Sequence, residues 1–242
     1  MSVVLALEDI RFAWPRGPVI LDIARFEVRA GESVFLHGPS GCGKSTLLSL
    51  MAGVLLPQAG RVSLQGKHWG ELRQTARDRY RVDHVGYIFQ QFNLLPYLSV
   101  LDNVLIPCRF SARRRDAAAE RSGSARAEAE SWLDGMGLER SLWPRAAREL
   151  SVGQQQRVAA ARALIGRPSL VIADEPTSAL DEDRRNAFLD LLLAACHEAH
   201  GTLVFVSHDR RIASRFPRET LLPSINRAGR DEESGNTGET SP

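Results

Sequence analysis

The chain has 242 residues, of which 43% are hydrophobic and 25% are charged, and its formal net charge is +2. This composition is ordinary for a globular protein, and the small net charge argues against nucleic-acid binding through bulk electrostatics. The three cysteines are widely spaced and do not form a disulfide or zinc pattern, which favours a reducing compartment. No apolar run approaches the ~18 residues needed to span a bilayer, so we expect any membrane role to depend on a partner.

The N-terminal segment predicts a small antiparallel sheet. Roughly alternating apolar residues indicate strands at 3–14 and 19–28, and the Pro- and Gly-rich residues 15–18 form the turn between them. The ring of Trp14 could belong to the core or could stack on a purine. Local sequence alone favours the core.

Residues 38–46 form the most informative segment of the chain. They match the pattern G-x-x-x-x-G-K-S between an apolar strand at 33–36 and a predicted helix at 46–55, the context of a phosphate-binding loop. Glycines allow backbone N–H groups to surround an anion, while a lysine adds positive charge and a serine hydroxyl can bind Mg²⁺. The candidate nucleotide-binding residues are Gly38, Ser40, Gly41, Cys42, Gly43, Lys44, Ser45 and Thr46.

The next segment carries a candidate metal contact. A short strand and turn at 61–66 and a charged helix at 71–81 precede an apolar strand at 85–89. The strand ends at Gln90. A glutamine at such a strand end can reach a metal or an attacking water, although a solvated amide is the alternative.

Residues 98–149 have a different composition. Between 112 and 130 the chain is rich in Ala, Arg and Glu, which are strong helix formers. We expect a mostly helical subdomain, about 92–160, inserted into an α/β core. A disordered charged linker is the alternative for 111–127.

Two local features of this helical region allow finer predictions. The run 113–115 consists of three arginines followed by acidic residues, which predicts a solvated helix face rather than a DNA-binding patch. Residues 122–124 break the helix, and Ser124 caps the next one. Gly137 is a candidate for the glycine that follows a helix end.

A further helix start follows at Ser151. Ser151 and Gln154 fit the Ser-x-x-Gln pattern of a capping box, in which each residue satisfies a backbone N–H near the helix start. The box predicts a helix at 154–164. Unpaired N–H groups at such an end can also face an anion.

Polar residues follow two apolar strands near the C-terminal end. The run 170–173 suits a buried parallel strand and delivers Asp174 and Glu175 at its carboxyl end, where open α/β sheets bind ligands. Asp174 could hold Mg²⁺ and Glu175 could accept the proton of an attacking water. The alternative is a structural acid pair that caps the following turn.

The last predicted elements complete this edge of the sheet. Asp181 caps a helix, and a buried strand at 203–206 ends near His208, level with the two carboxylates and able to touch a γ-phosphate. From 223 to 242 the chain becomes polar and predicts a disordered tail.

In this order the motifs resemble the ATP-binding subunit of ATP-binding-cassette (ABC) transporters over residues 3–215. The resemblance rests on the phosphate loop, Gln90, the signature Leu150–Gln154 followed by Gln155-Gln156-Arg157, the acidic strand 172–176, the loop 178–181 and His208. It implies an α/β phosphate-loop ATPase core at 1–222, with a mainly parallel sheet, an N-terminal antiparallel β subdomain and the inserted helical subdomain.

The resemblance also implies an ATPase that uses ATP and Mg²⁺ and works as a head-to-tail homodimer with ATP sandwiched between subunits. The catalytic residues would be Glu175 and His208, and Trp14 would stack on adenine. The metal contacts would be Ser45, Gln90 and Asp174. The contacts to the ATP of the second copy would be Ser151, Gly153, Gln154 and Asp181.

The implied partner is a separate transmembrane permease at the cytoplasmic face of the inner membrane, with no nucleic acid. The sequences of residues 89–96 and 102–107 resemble those of the lipoprotein-release and macrolide-export branch. Polar amino-acid importers share part of it, and a regulatory ATPase that signals to a cell-envelope partner is a further alternative. A cassette acting on DNA or ribosomes is disfavoured, because such proteins carry two cassettes or long coiled coils.

One residue departs from the family pattern. The signature usually has glycine where this chain has Val152. A β-branched residue resists a positive φ, so we expect an ordinary helical N-terminus here, with weaker ATP contact as the alternative.

Overall fold

The computed structural model describes residues 2–228. The strands in this range are β1 (Val3–Ala13), β2 (Val19–Arg29), β3 (Ser33–His37), β4 (Ala59–Leu64), β5 (Lys67–His68), β6 (Val85–Ile88), β7 (Leu170–Asp174), β8 (Thr202–Val206) and β9 (Arg218–Leu221). The helices are α1 (Lys44–Met51), α2 (Gln74–His84), α3 (Val100–Phe110), α4 (Ala112–Ser122), α5 (Ala125–Gly135), α6 (Val152–Leu164), α7 (Glu182–Glu198) and α8 (Leu222–Ile225). None of them is long and apolar enough to cross a lipid bilayer.

The strands form two sheets. One is antiparallel in the order β2-β1-β4-β5, and the other is parallel in the order β6-β7-β8-β3-β9. The alternation at the N-terminus therefore produced the predicted antiparallel sheet. The α/β fold class predicted from the sequence is confirmed.

The parallel sheet is buried on both faces, as its continuous apolar runs require. Side chains of β8 alternate between the two faces: Leu203 and Phe205 face a core built with α3, α5, α6 and α7. Val204 and Val206 face the opposite core, which includes α1 and the antiparallel sheet. The sheet thus sits between the two cores.

Three serines begin the helices α3, α4 and α5, which follow β6 in the chain. Ser99, Ser111 and Ser124 each accept a hydrogen bond from a backbone N–H of the first turn that follows. The predicted cap at Ser124 is confirmed. Because α4 is a regular helix, the alternative of a disordered linker at 111–127 is wrong.

The arginine run in α4 is not a uniformly solvated face, and that prediction is wrong for Arg114. Its side chain is 2% exposed, and it donates to the carbonyls of Ala163 (2.7 Å) and Ile165 (2.5 and 2.8 Å). These carbonyls lie at the end of α6, where the last carbonyls of a helix have no N–H donors within the helix. Burial lowers the pKa of Arg114 to about 10. Arg114 therefore ties α4 to the end of α6.

The helix after the phosphate loop is shorter than the predicted 46–55. It ends at Met51, since Gly53 turns the chain with a φ of +67°. A Cβ on Gly53 would lie 2.5 Å from the ring of Trp69, whose Nε1 donates to the Met51 carbonyl at 3.2 Å. A distant tryptophan thus sets this boundary, and local sequence could not predict it.

The chain also remains ordered beyond the predicted start of the tail at 223. Residues 223–225 belong to α8, and Asn226 is buried. The Asn226 side chain accepts from the Asp22 N–H at 2.8 Å and donates to the Ile20 carbonyl at 2.9 Å. These bonds pin this end of the chain to β2. The rest of the predicted tail, 229–242, lies outside the described residues.

We predict that Arg114→Met destabilises the protein by about 2–4 kcal/mol, because the substitution leaves buried carbonyls at the end of α6 without donors. The free energy of unfolding from denaturant titration, followed by circular dichroism, measures the effect.

The neighbouring Arg115→Met is the matched control. Arg115 is exposed and pairs with the adjacent Asp116, at 3.5 Å, so we expect a change within about 0.5 kcal/mol. Equal losses in the two variants would contradict the special role of Arg114.

Candidate functional site

The register of the parallel sheet brings the predicted chemical groups to one edge. Leu36 of β3 pairs with Val206 of β8, which pairs with Asp174 of β7. The phosphate loop begins two residues after Leu36, His208 lies two residues after Val206, and Glu175 follows Asp174 directly. Neighbouring strands lie about 4.8 Å apart. The loop, the histidine and both carboxylates therefore meet along a single row.

The phosphate loop has the backbone that its glycines predict. Gly41 and Gly43 have φ values of +79° and +97°, a region that residues with a Cβ rarely adopt. The Lys44 side chain arches over the loop, and its Nζ donates to the carbonyls of Gly38 (2.8 Å) and Pro39 (2.9 Å). The ammonium group thus lies against the loop that is proposed to surround a phosphate.

Cys42 packs inside this loop. Its Sγ lies 2.7 Å from the position that a Cβ on Gly38 would take, and the half-buried side chain packs against the core below. This contact gives Cys42 a packing role within the loop. Of the other predicted loop residues, Ser40 is exposed, Ser45 lies in the first turn of α1 and Thr46 is buried.

Trp14 is not a core residue, and the prediction from local sequence is wrong. Its side chain is 46% exposed and meets the ring of Phe12 edge-on, with centroids 5.3 Å apart. After the hairpin turn, β2 passes against the phosphate loop, since a Cβ on Gly43 would lie 3.0 Å from Ile20. The turn that carries Trp14 therefore lies next to the strand that contacts the loop.

Glu175 and His208 are in direct contact. His208 Nδ1 lies 2.8 Å from Glu175 Oε2, and because a carboxylate only accepts hydrogen bonds, Nδ1 is the donor. The Glu175 side chain is mostly buried, whereas that of His208 is 64% exposed. Glu175 also has a φ of +45°, and its N–H donates to Val206 at 2.9 Å. The pair can hold a base in place and leave the second imidazole nitrogen accessible.

Asp174 lies in an environment that favours a bound cation. Burial, and then the adjacent charge of Glu175, raise the pKa of Asp174, while Tyr87 (3.4 Å) and Lys44 oppose the shift. Mg²⁺ prefers hard oxygen ligands and needs only one or two carboxylates beside substrate phosphates. The carboxylate of Asp174 and the hydroxyl of Ser45 fit that donor set.

Gln90 lies at the same edge, beyond β6. Ile88 of β6 pairs with Ala173 of β7. Gln90 lies two residues after Ile88, and Glu175 lies two residues after Ala173. The side chain of Gln90 is exposed on the turn.

Sequence analysis missed the arginine that holds the turn after Gln90. Phe92 and Asn93 both have positive φ values, +60° and +49°. Arg162 of α6 donates to both of their carbonyls, at 2.5 and 2.7 Å, and burial lowers the pKa of Arg162 to about 10. The signal in the sequence that could have indicated this role was the position of Arg162 among the small apolar residues of a helix.

The predicted capping box is confirmed at the start of α6. Ser151 Oγ accepts from the Gln154 N–H at 3.4 Å, and Gln154 Oε1 accepts from the Ser151 N–H at 2.9 Å. Val152 is the first helical residue and has no positive φ, so the expected ordinary helix start is confirmed. Gly153 lies in the same exposed first turn.

A second missed residue ties this helix to the acidic strand end. Gln156 is buried, and its Nε2 donates to the Pro176 carbonyl at 2.8 Å. Pro176 follows Glu175 directly. The start of α6 and the backbone beside the candidate base are thus connected.

Asp181 caps α7 as predicted, since its carboxylate accepts from the Arg184 N–H at 2.9 Å. Asp209, next to His208, forms a bidentate pair with Arg211 at 2.9 Å and contacts Arg185 at 2.7 Å. The hydrogen bonds from Arg211, aided by Arg185, lower the pKa of Asp209 to about 2.

A strand, a glycine-rich phosphate loop and a helix, with acidic and histidine strand ends beside them, define a phosphate-loop ATPase. A family model described as ABC transporter matches residues 21–178, and the chain belongs to this family. It is an ATP-binding and ATP-hydrolysing subunit of an ABC transporter.

Individual relatives agree with this assignment. The lipoprotein-releasing system ATP-binding protein LolD of Hydrogenovibrio crunogenus is 41% identical over 197 residues, covering 81% of this chain and 82% of the relative. An uncharacterized ABC transporter ATP-binding protein YbbA of Escherichia coli is 41% identical over 199 residues, covering 82% and 84%. The solved dimer of the ATP-binding cassette MJ0796, in a post-hydrolysis state with ADP and Pi, aligns with a TM-score of 0.78 and 34% identity, covering 90% and 93%.

We predict that Asp209→Asn destabilises the protein at neutral pH by about 1–3 kcal/mol, since two arginines lose their charged acceptor. The lowered pKa of Asp209 means that its contribution is complete above pH about 4 and is lost as the pH falls towards about 2. The difference in unfolding free energy between parent and variant should therefore narrow below pH about 4.

Asp190→Asn provides the control. Asp190 is an exposed residue that pairs with Arg215, and we expect little change at any pH. A parent–variant difference for Asp209 that stays constant as the pH is lowered would contradict the ion-pair explanation.

Proposed function

We propose that this ATPase forms an ATP-dependent homodimer that drives a separate transmembrane permease of an export system. The observation that carries the proposal is the row formed by the phosphate loop, the Glu175–His208 pair and Asp174 at the edge of one parallel sheet. This row supplies groups for binding a triphosphate and for hydrolysing it.

In this proposal each group has a defined task. Backbone N–H groups of the loop and Lys44 bind the phosphates. Glu175 accepts the proton of the attacking water, and His208, oriented by its bond to Glu175, contacts the γ-phosphate through its other ring nitrogen. Asp174, Ser45 and Gln90 would hold Mg²⁺, which supplies charge neutralisation for the transferring phosphate.

The exposed start of α6 supports the dimer. Its capping box occupies two backbone N–H groups, and the remaining donors and the helix dipole favour an anion. We propose that Ser151, Gly153 and Gln154 close over the ATP of the second copy, together with Asp181. Trp14 would stack on the adenine of its own site. The dimeric state of MJ0796 supports the arrangement.

An apolar groove supports a docking site for the permease. It lies between β6 and the helices around α3, and its walls are formed by Val82, Val85, Gly86, Tyr87, Phe89, Ile106, Pro107, Phe110, Arg114, Arg162 and Ala163. Phe110 is 76% exposed at its rim. Tyr87 stacks on Phe89 at 4.2 Å and donates to Asp174. A partner helix in the groove would therefore contact a side chain bonded to the metal site.

The export direction and the membrane location are also part of the proposal. LolD is named as part of a lipoprotein-releasing system, and the sequence of residues 89–96 resembles that branch. Docking on a permease would hold the ATPase at the cytoplasmic face of the inner membrane.

We predict that Glu175→Gln lowers ATP turnover by ~10²–10⁴-fold, because the amide cannot accept the proton of the attacking water. ATP should still drive dimerisation of this variant. Phosphate release measures turnover, and light scattering with and without ATP measures the dimer.

Glu130→Gln serves as the control. Glu130 pairs with Arg126 on α5 at 2.9 Å, and its substitution should leave both measurements unchanged. Unchanged hydrolysis in Glu175→Gln would exclude Glu175 as the base. A variant that binds ATP but stays monomeric, even with the permease present, would contradict the proposed dimer.

We predict that Phe110→Ser loses stimulation of ATP turnover by the permease in vesicles and keeps the basal rate. The exposed phenyl ring would be an anchor in the interface, and such truncations cost about 1–4 kcal/mol of binding. The measurement is ATPase activity with and without the co-purified permease, together with substrate movement.

Val54→Ser is the matched control, because Val54 is exposed and lies outside the groove. Equal stimulation in the parent and Phe110→Ser would move the docking site elsewhere. ATP-dependent activation of another enzyme, with no substrate movement, would favour the regulatory alternative.

A further inference from the structure

We infer that Arg185 is a positioning residue for His208, which connects the start of α7 to the Glu175–His208 pair through Asp209. The inference rests on the proposed function for one point only, namely that Asp181 faces the second copy. The contacts themselves lie within one chain.

The link begins with an ion pair between two elements, in which the arginine is buried and the aspartate is partly buried. Arg185 lies in the first part of α7, its side chain is 8% exposed, and its Nη1 contacts Asp209 Oδ2 at 2.7 Å. Its second charged contact, with Glu182, is longer at 3.9 Å, and its buried Nε has no hydrogen-bond partner among the described residues. A buried guanidinium needs a close countercharge. Asp209 therefore fixes the direction of this side chain.

Asp209, the acceptor of this ion pair, is the neighbour of the candidate histidine in the sequence. Asp209 follows His208, its N–H donates to Ser207 Oγ at 3.1 Å, and its carboxylate caps the turn at Arg210–Arg215. His208 in turn contacts Glu175 at 2.8 Å. A shift of the Asp209 carboxylate would therefore move the imidazole relative to Glu175.

The donor of the pair is fixed to the part of α7 that begins at Asp181. Asp181 is the cap, and Arg185 N–H donates to the Asp181 carbonyl at 2.9 Å, so the two residues are separated by a single helical turn. A hydrogen-bonded turn moves as one unit. Any displacement of Asp181 by the second copy would be passed through Arg185 to His208.

Arg211 binds the same carboxylate but provides only a solvent-exposed connection to α7. Arg211 lies two residues after Asp209, and its hydrogen bonds to Asp209 lie within one turn. It also contacts Glu182 at the start of α7, at 3.6 Å, but the two side chains of that pair are 67% and 64% exposed, and such exposed pairs contribute little. Arg211 stabilises the charge of Asp209 but does not belong to α7. Asp209 thus accepts from two arginines that differ in burial, Arg185 within α7 and the exposed Arg211.

The experiment compares Arg185→Gln with Arg211→Gln in the full-length protein. Arg185→Gln should lower kcat by ~10–100-fold, as expected for a small displacement of a catalytic group, with the KM for ATP nearly unchanged and the Hill coefficient reduced towards 1. Arg211→Gln should keep the cooperativity and most of the kcat. Arg185→Lys, which keeps the charge, should restore part of the rate and guards against a folding defect.

A double-mutant comparison with Asp209→Asn tests the route. If Arg185 acts through Asp209, the Arg185→Gln substitution should lower kcat no further in the Asp209→Asn protein. The inference would be overturned if the losses of kcat in the two single variants multiplied in the double variant. It would also be overturned if Arg185→Gln and Arg211→Gln lowered kcat equally, or if folded Arg185→Gln kept the parent kcat.

Failure of the proposed function has a separate signature. In the Glu175→Gln background ATP should still produce a dimer when Arg185 is also replaced. If the Glu175→Gln protein alone never dimerises, the proposed function is wrong, whereas the comparison of kcat values still decides whether Arg185 positions His208.

Discussion

The hydrogen-bond ladder that pairs β3, β8 and β7 is the constraint on which the site depends. It sets Leu36, Val206 and Asp174 side by side, and the phosphate loop, His208 and Glu175 follow from those positions. A slip of one residue in any of these strands would turn its side chains to the opposite face. The two apolar cores that cover the sheet prevent such a slip, since alternate residues of β8 belong to different cores.

Helix α6 is fixed to this sheet by side chains that donate to backbone carbonyls. Gln156 binds the segment after Glu175, Arg162 binds the turn after Gln90, and Arg114 binds the end of α6 itself. Each bond satisfies an acceptor that has no partner in regular secondary structure. The exposed Ser151 end is therefore held against a rigid frame, which suits a surface that must meet a second molecule in a defined orientation.

Sequence predicted the features that depend on neighbouring residues. The capping box, the phosphate loop and the apolar strands with polar ends are local patterns, and the sheet edge followed from them. The burial of Arg114 could not be predicted in this way, because its acceptors lie about 50 residues away in the chain. The same holds for Arg185 and Asp209, and for the end of α1, which depends on the ring of Trp69.

The uneven burial of the four tryptophans has an optical consequence. Trp69, Trp132 and Trp143 are buried and should emit at short wavelength. The side chain of Trp14 is about half exposed. It lies at the turn before β2, the strand that contacts the phosphate loop. The long-wavelength edge of the intrinsic emission is therefore dominated by a single indole near the nucleotide site. The unlabelled protein thus carries its own spectroscopic reporter, and a purine stacked on that ring would quench it.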